Sequence, residues 1–166
     1  MKALVKLSVL GIATATLAAC GGGSDEPAPD AGATTAAAPA ATPTAATPPP
    51  TADSTDTVDG TTLAQFTGNA ENGEKVFLQC KSCHVRDPGV NRIGPSLAGI
   101  VGRAAGTVDG FAYTDANKNS GITWSPEKLY QYLENPQRVV PGTKMAFAGL
   151  PNGQDRADII AYLQTE

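Results

Sequence analysis

Cys80-Lys81-Ser82-Cys83-His84 sets two thiols three positions apart, with an imidazole beside the second. On one helical turn both sulfurs face the same side. That layout suits covalent haem c: each thiol adds to one vinyl group to give a thioether, and a neutral ring nitrogen of the next residue reaches iron from the same face. A covalently held macrocycle must then be enclosed by the rest of the fold, so no other feature constrains the chain as much. Two other uses of paired cysteines are weaker. A tetrahedral zinc site needs four ligands, whereas His84 is the only histidine and Cys20 the only further cysteine. A thioredoxin-like pair wants a βαβ setting, and the neighbouring segments read as helices divided by Gly- and Pro-rich loops.

The structure that encloses such a group can occupy only part of the 166 residues. Every Phe, Tyr and Trp lies between Phe66 and Tyr162, so the first 65 residues hold no aromatic with which to build a core. Residues 68–166 are therefore the expected folded domain, of all-α class. Residues 20–67 are rich in Ala, Thr, Pro and Gly, with seven prolines from Pro27 to Pro50. They show neither helical nor strand periodicity, which predicts a disordered, polyproline-like tether.

Charge follows the same division. The formal net charge is -4, and Asp25, Glu26, Asp30, Asp53, Asp56 and Asp59 are followed by no basic residue before Lys75. From Gly68 onward five Lys and five Arg meet ten acids, so the domain is formally neutral. Nucleic acid is excluded as a partner on that ground.

Residues 1–19 begin with Lys2 and Lys6, continue through an apolar stretch and finish in small residues, the layout of a bacterial export signal. The stretch falls short of the roughly 20 residues of a membrane span. Leu17-Ala18-Ala19-Cys20 resembles the lipobox of bacterial lipoproteins, in which cysteine is acylated and becomes the mature N-terminus. Plain secretion is the alternative; the position of Cys20 favours acylation. The expectation is a lipid-anchored protein at the periplasmic face of a bacterial membrane.

Within the domain, Asn69 is placed to cap a helix over 70–81 with Gly73, Val76, Phe77 and Cys80 on one face. Ser125-Pro126-Glu127 reads as cap, proline start and acidic first turn of a second helix, which stops near Asn135 because Pro136 follows. A last helix begins after Asn152 and carries Ile159, Ile160, Tyr162 and Leu163.

Met145 is the only methionine besides Met1. A buried methionine usually just packs. Its setting, Pro141-Gly142-Thr143-Lys144-Met145-Ala146-Phe147, prevents helix and lets an extended loop bring one sulfur to iron opposite His84.

With these residues in view, the chain from about Gly73 to Leu163 resembles a class I cytochrome c of the mitochondrial and alphaproteobacterial kind. The resemblance rests on Gly73-Glu74-Lys75-Val76-Phe77, the haem motif, Gly94-Pro95, Gly102-Arg103, the segment from Tyr113 to Trp124, Tyr132-Leu133-Glu134-Asn135-Pro136 and the methionine loop, in order. It implies that fold, enclosing one covalent haem c, with first and last helices crossed at Gly73, Phe77, Ile159 and Tyr162. It implies that His84 and Met145 ligate iron, that Arg103, Tyr113, Asn117 and Trp124 serve the haem propionates or the water near them, that Tyr132 and Thr143 flank the methionine side, and that the Pro95 carbonyl accepts from the proximal imidazole.

His/Met ligation leaves no open iron position and suits electron transfer rather than catalysis. The expected product is a monomeric carrier from a quinol:cytochrome c reductase to a terminal oxidase. The alternative is a ligand-binding or peroxidatic haem protein in which the Met145 bond is labile. One departure stands out: mitochondrial relatives ring the haem edge with lysines, whereas this chain keeps Lys144 and Arg138 and has Gln137 and Pro151-Asn152-Gly153 elsewhere, which predicts weak, salt-insensitive steering.

Overall fold

Short helices separated by long loops follow from a domain that carries six prolines and twelve glycines from Gly68 onward, most of them punctuating helical runs. The computed structural model describes residues 48–165. The leader, Cys20 and the first part of the expected tether lie outside the described residues. Helix α1 spans Ala70–Phe77, α2 Asp115–Lys118, α3 Pro126–Glu134, α4 Pro136–Val139 and α5 Gly153–Leu163, with a single 3-10 turn at Leu63–Gln65. Among the described residues the only extended pairing is an isolated bridge between Ala104 and Thr123.

The helix starts are written in capping residues. The side chains of Asn69, Thr114, Ser125, Asn135 and Asn152 each accept from a backbone N–H in the first turn of the helix that follows, which satisfies donors no intrahelical carbonyl can reach. Helix α1 is shorter than the 70–81 expected. Past Phe77 the chain continues in tighter turns, with the amides of Leu78, Gln79 and Cys80 donating to carbonyls three residues back. The helical trend thus persists while its register shifts just before the haem motif.

Helices α1 and α5 cross closely. A Cβ on Gly73 would fall 2.0 Å from the carbonyl oxygen of Asp158, so only hydrogen at that position allows the approach. Phe77 then reaches Tyr162, ring centroids 5.3 Å apart, and Ile159, Ile160 and Leu163 join a core shared with Leu129, Leu133 and Trp124.

One expectation is corrected. Residues 48–67, placed in the disordered tether, are described and laid along the domain. Lys128 Nζ donates to the carbonyls of Thr51 and Ser54, Gln131 Nε2 to that of Asp56, and Glu134 accepts from the amides of Val58 and Asp59. Leu63 and Phe66 pack against the core. The reason is that polar side chains of α3 reach this strap's backbone across more than 70 residues of sequence, a kind of bond that hydrophobic periodicity does not register.

Candidate functional site

The turn after α1 carries the haem motif. The amides of Cys83 and His84 both donate to the Cys80 carbonyl, at 3.0 and 2.8 Å, which keeps both thiols and the imidazole on one turn. The following loop is stitched back to it: Gly94 N donates to Cys83 O at 2.8 Å and Leu97 N to Val85 O at 2.8 Å. Inside the loop, Asn91 Oδ1 accepts from Ser96 N, and Ser96 Oγ donates to Asp87 O. A Cβ on Gly94 would sit 2.3 Å from the His84 ring, so the ring lies against bare backbone.

His84 Nδ1 and the Pro95 carbonyl are 2.8 Å apart. A carbonyl has no proton to give, so Nδ1–H donates and the lone pair is left on Nε2. Burial lowers the pKa of His84 from its ordinary value, against an opposing pull from that same carbonyl. The neutral ring, the form that can bind iron, is therefore favoured.

Met145 sits on the other loop of the site. Tyr132, on the inner face of α3, donates its hydroxyl to Met145 Sδ at 3.5 Å and packs on Trp124 at 4.7 Å. Burial pushes the Tyr132 phenol above its usual pKa, so it keeps the proton it donates. The loop itself is held by its backbone. Met145 N donates to Thr143 Oγ1, Gln137 Nε2 donates to the carbonyls of both Thr143 and Met145 at 3.2 Å, and Leu150 N donates to Leu133 O at 2.7 Å. Gly149 closes it with φ +103°, where a Cβ would lie 2.0 Å from the Glu134 carbonyl oxygen.

A third group supplies polarity. Arg103 donates through Nη1 to Ala98 O at 2.7 Å and through Nη2 to Ser96 O at 3.0 Å, leaving further N–H groups uncommitted. Burial lowers its pKa, with Tyr113 nearby acting the other way. Asn117 is buried, and its Oδ1 has no hydrogen-bond partner. The two ends of an amide are interchangeable by a flip, so this orphan marks a place where a buried polar partner belongs.

Cys80, Cys83, His84, Met145, Arg103, Tyr113, Asn117, Trp124, Tyr132 and Thr143 all line one cavity of about 290 Å³. Every candidate residue from the sequence, Cys20 apart, is thus brought together. The cavity walls are mainly apolar, with Leu97, Ile100, Leu129 and Leu133 among them. Haem fits this donor set: two half-buried free thiols, an imidazole with a free Nε2, a thioether, and an orphaned amide beside Arg103, Tyr113 and the Trp124 indole. A redox dithiol fits it poorly, because burial, aided by Cys83, pushes the Cys80 thiol up to about 11, whereas thiol exchange needs a thiolate. Among the described residues no group of three or more His, Cys, Asp or Glu gathers as a metal site would require.

Sequence reasoning passed over the residues that hold the two loops. Gln137 was noticed only as the absence of a lysine, and Asn91 and Arg156 not at all. The bonds of Gln137 and Asn91 run from side chain to backbone, and those of Arg156 reach backbone and side-chain acceptors alike, with no spacing rule to reveal them.

The family model for Cytochrome c matches residues 70–166. Cytochrome c2 of Rhodoblastus acidophilus is 55% identical over 97 residues, which cover 58% of this chain and 91% of that protein. Cytochrome c of Euglena viridis is 54% identical over 99 residues, 59% of this chain and 97% of that one. Among solved structures, cytochrome cH from Methylobacterium extorquens is similar at 48% identity with a TM-score of 0.57, covering 60% of this chain and all of that one.

Proposed function

Since the chain belongs to the cytochrome c family, whose members carry one covalent haem c and transfer electrons, we propose a membrane-tethered respiratory carrier in which His84 and Met145 would hold the iron. Bound haem supplies a one-electron iron couple, and an imidazole with a thioether poises that couple high among haem proteins. The chain's own residues do the rest. Pro95 fixes the imidazole tautomer, Tyr132 restrains the sulfur, and Cys80 and Cys83 would hold the macrocycle by thioethers. Arg103, Tyr113, Asn117 and Trp124 would supply donors to its propionates, since a carboxylate in an apolar interior needs them. Leu97, Ile100, Leu129 and Leu133 exclude water.

The observation that carries this reading is the pairing of two restrained ligand atoms on one cavity, one ring held by Pro95 and one sulfur held by Tyr132. It favours the carrier over a haem protein with a labile methionine. The reduced protein is expected to resist carbon monoxide at neutral pH, and Met145→Ala to bind it readily. Rapid, complete uptake by the natural chain sinks the assignment.

The proposed donor is a quinol:cytochrome c reductase and the acceptor a terminal oxidase, with acyl chains on Cys20 holding the protein at the periplasmic face. Tethering replaces long-range attraction by raised local concentration, which suits a domain of no net formal charge. The mouth of the cavity supports this, carrying exposed Ile93 at 79% accessibility rather than a ring of lysines. Reconstituted reductase and oxidase should turn over faster with acylated protein than with a form lacking residues 1–47. Equal turnover removes the tether from the proposal.

A further inference from the structure

The strap, residues 51–62, lies upstream of the residues the family model matches, yet it is bonded to the helix that holds the methionine side of the site. On the outer face of α3, Lys128 is 2% exposed, and its ammonium donates to Thr51 O at 3.1 Å, Ser54 O at 2.7 Å and Gln131 Oε1 at 2.7 Å. A buried cation needs every one of its donors met, and two of these three acceptors belong to the strap. Gln131, with no exposed surface, donates to Asp56 O at 2.8 Å. Glu134 accepts from Val58 N at 2.7 Å and Asp59 N at 2.9 Å. From α4, Arg138 also donates to Asp56 O, at 3.1 Å.

The inner side of the same two helices carries the loop of Met145. Tyr132 reaches the sulfur, Leu133 O receives Leu150 N, and Gln137 holds the carbonyls of Thr143 and Met145. A direct bridge joins the two sides. Arg156, fully buried, donates through Nη1 to Leu150 O at 2.8 Å, at the end of the methionine loop, and through Nη2 to Asp59 of the strap. Burial alone would raise the Asp59 carboxyl, but Arg156 and the hydrogen bonds of Thr61 and Thr57 hold it well below the usual carboxylate range.

We propose that the strap is a positioning element for the methionine ligand: by fixing the outer faces of α3 and α4 it fixes the helices on which the Met145 loop hangs, and so keeps the sulfur in place. The proposal rests on Met145 being an iron ligand. It treats the strap as part of the redox site, although none of the strap's residues lines the cavity. Restraint of this kind acts through a contiguous set of bonds, and what it controls is how often the sulfur leaves.

The test compares three haem-loaded proteins in the reduced state: the full chain, the full chain lacking residues 48–61, and Glu134→Gln. Carbon monoxide association at neutral pH is recorded in that state, the sulfur-to-iron absorption band on the same proteins after oxidation, and thermal unfolding beside both. Association should be at least tenfold faster in the deletion and severalfold faster in Glu134→Gln, with a weakened band and thioether attachment unchanged. A deletion or substitution that lowers the unfolding temperature while leaving carbon monoxide uptake and the band as in the full chain overturns the proposal, because the strap then only stabilises. Rapid uptake by the full chain itself overturns the ligand assignment and the strap's role together, so the two failures are told apart.

Discussion

At the crossing of α1 and α5, a glycine faces a backbone carbonyl and Phe77 packs on Tyr162; where the strap meets α3, Lys128 and Gln131 donate to backbone carbonyls and Glu134 accepts from backbone amides. The first is a matter of shape, where lost volume cannot be made up by water. The second is a matter of pairing, where water can replace a partner near the surface but not inside. Steric joints should therefore fail steeply, while polar joints should fail by increments and depend on pH.

The largest loss is expected for Phe77→Ala, about 3–5 kcal/mol, as for other buried aromatics, read by denaturant unfolding of the haem-loaded protein. A loss below about 1 kcal/mol would erase the contrast between the two joints. Arg156→Met comes next, at about 2–3 kcal/mol, because Leu150 O and Asp59 lose a donor while the replacement keeps the apolar stem. A value matching Phe77→Ala would mean that the polar joint is as unforgiving as the steric one.

Asp59→Asn should have the smallest effect, about 0.5–1 kcal/mol at neutral pH, since its side chain is 33% exposed and such pairs are screened. Its pH dependence sharpens the comparison. The folded pKa lies below the ordinary value of 3.8, so the carboxylate contributes fully above that value and its contribution fades as pH falls beneath it. The stability gap between natural chain and variant should narrow from pH 5 toward pH 2, which thermal unfolding across that window would record; a constant gap would mean the charge of Asp59 plays no part.

Local signals made much of this fold readable from sequence. Asn69, Ser125 and Asn152 announce α1, α3 and α5 because a cap acts within three residues, and Pro136 stops α3 for a reason just as short-ranged. The site residues were legible because thioether chemistry fixes the spacing of Cys80, Cys83 and His84, and because the resemblance located the others. The end of α1 was misjudged, since the tightening after Phe77 depends on the turn that follows. The strap was missed altogether. Its acidic, proline-led composition matches a solvated linker, and what orders it comes from Lys128, Gln131, Glu134 and Arg156, residues far along the chain whose own sequence neighbourhood gives no hint of a partner. Gln137 and Asn91 escaped notice for the same reason.

Gly149 penalises replacement twice, once through its backbone angle and once through collision with Glu134 O. Randomising codons 141–150 and selecting for electron-transfer activity should accordingly return variety at several solvent-facing positions but a single survivor at this one. Any effort to retune the metal's affinity for electrons by grafting loops of other lengths has to count its residues from that fixed seam.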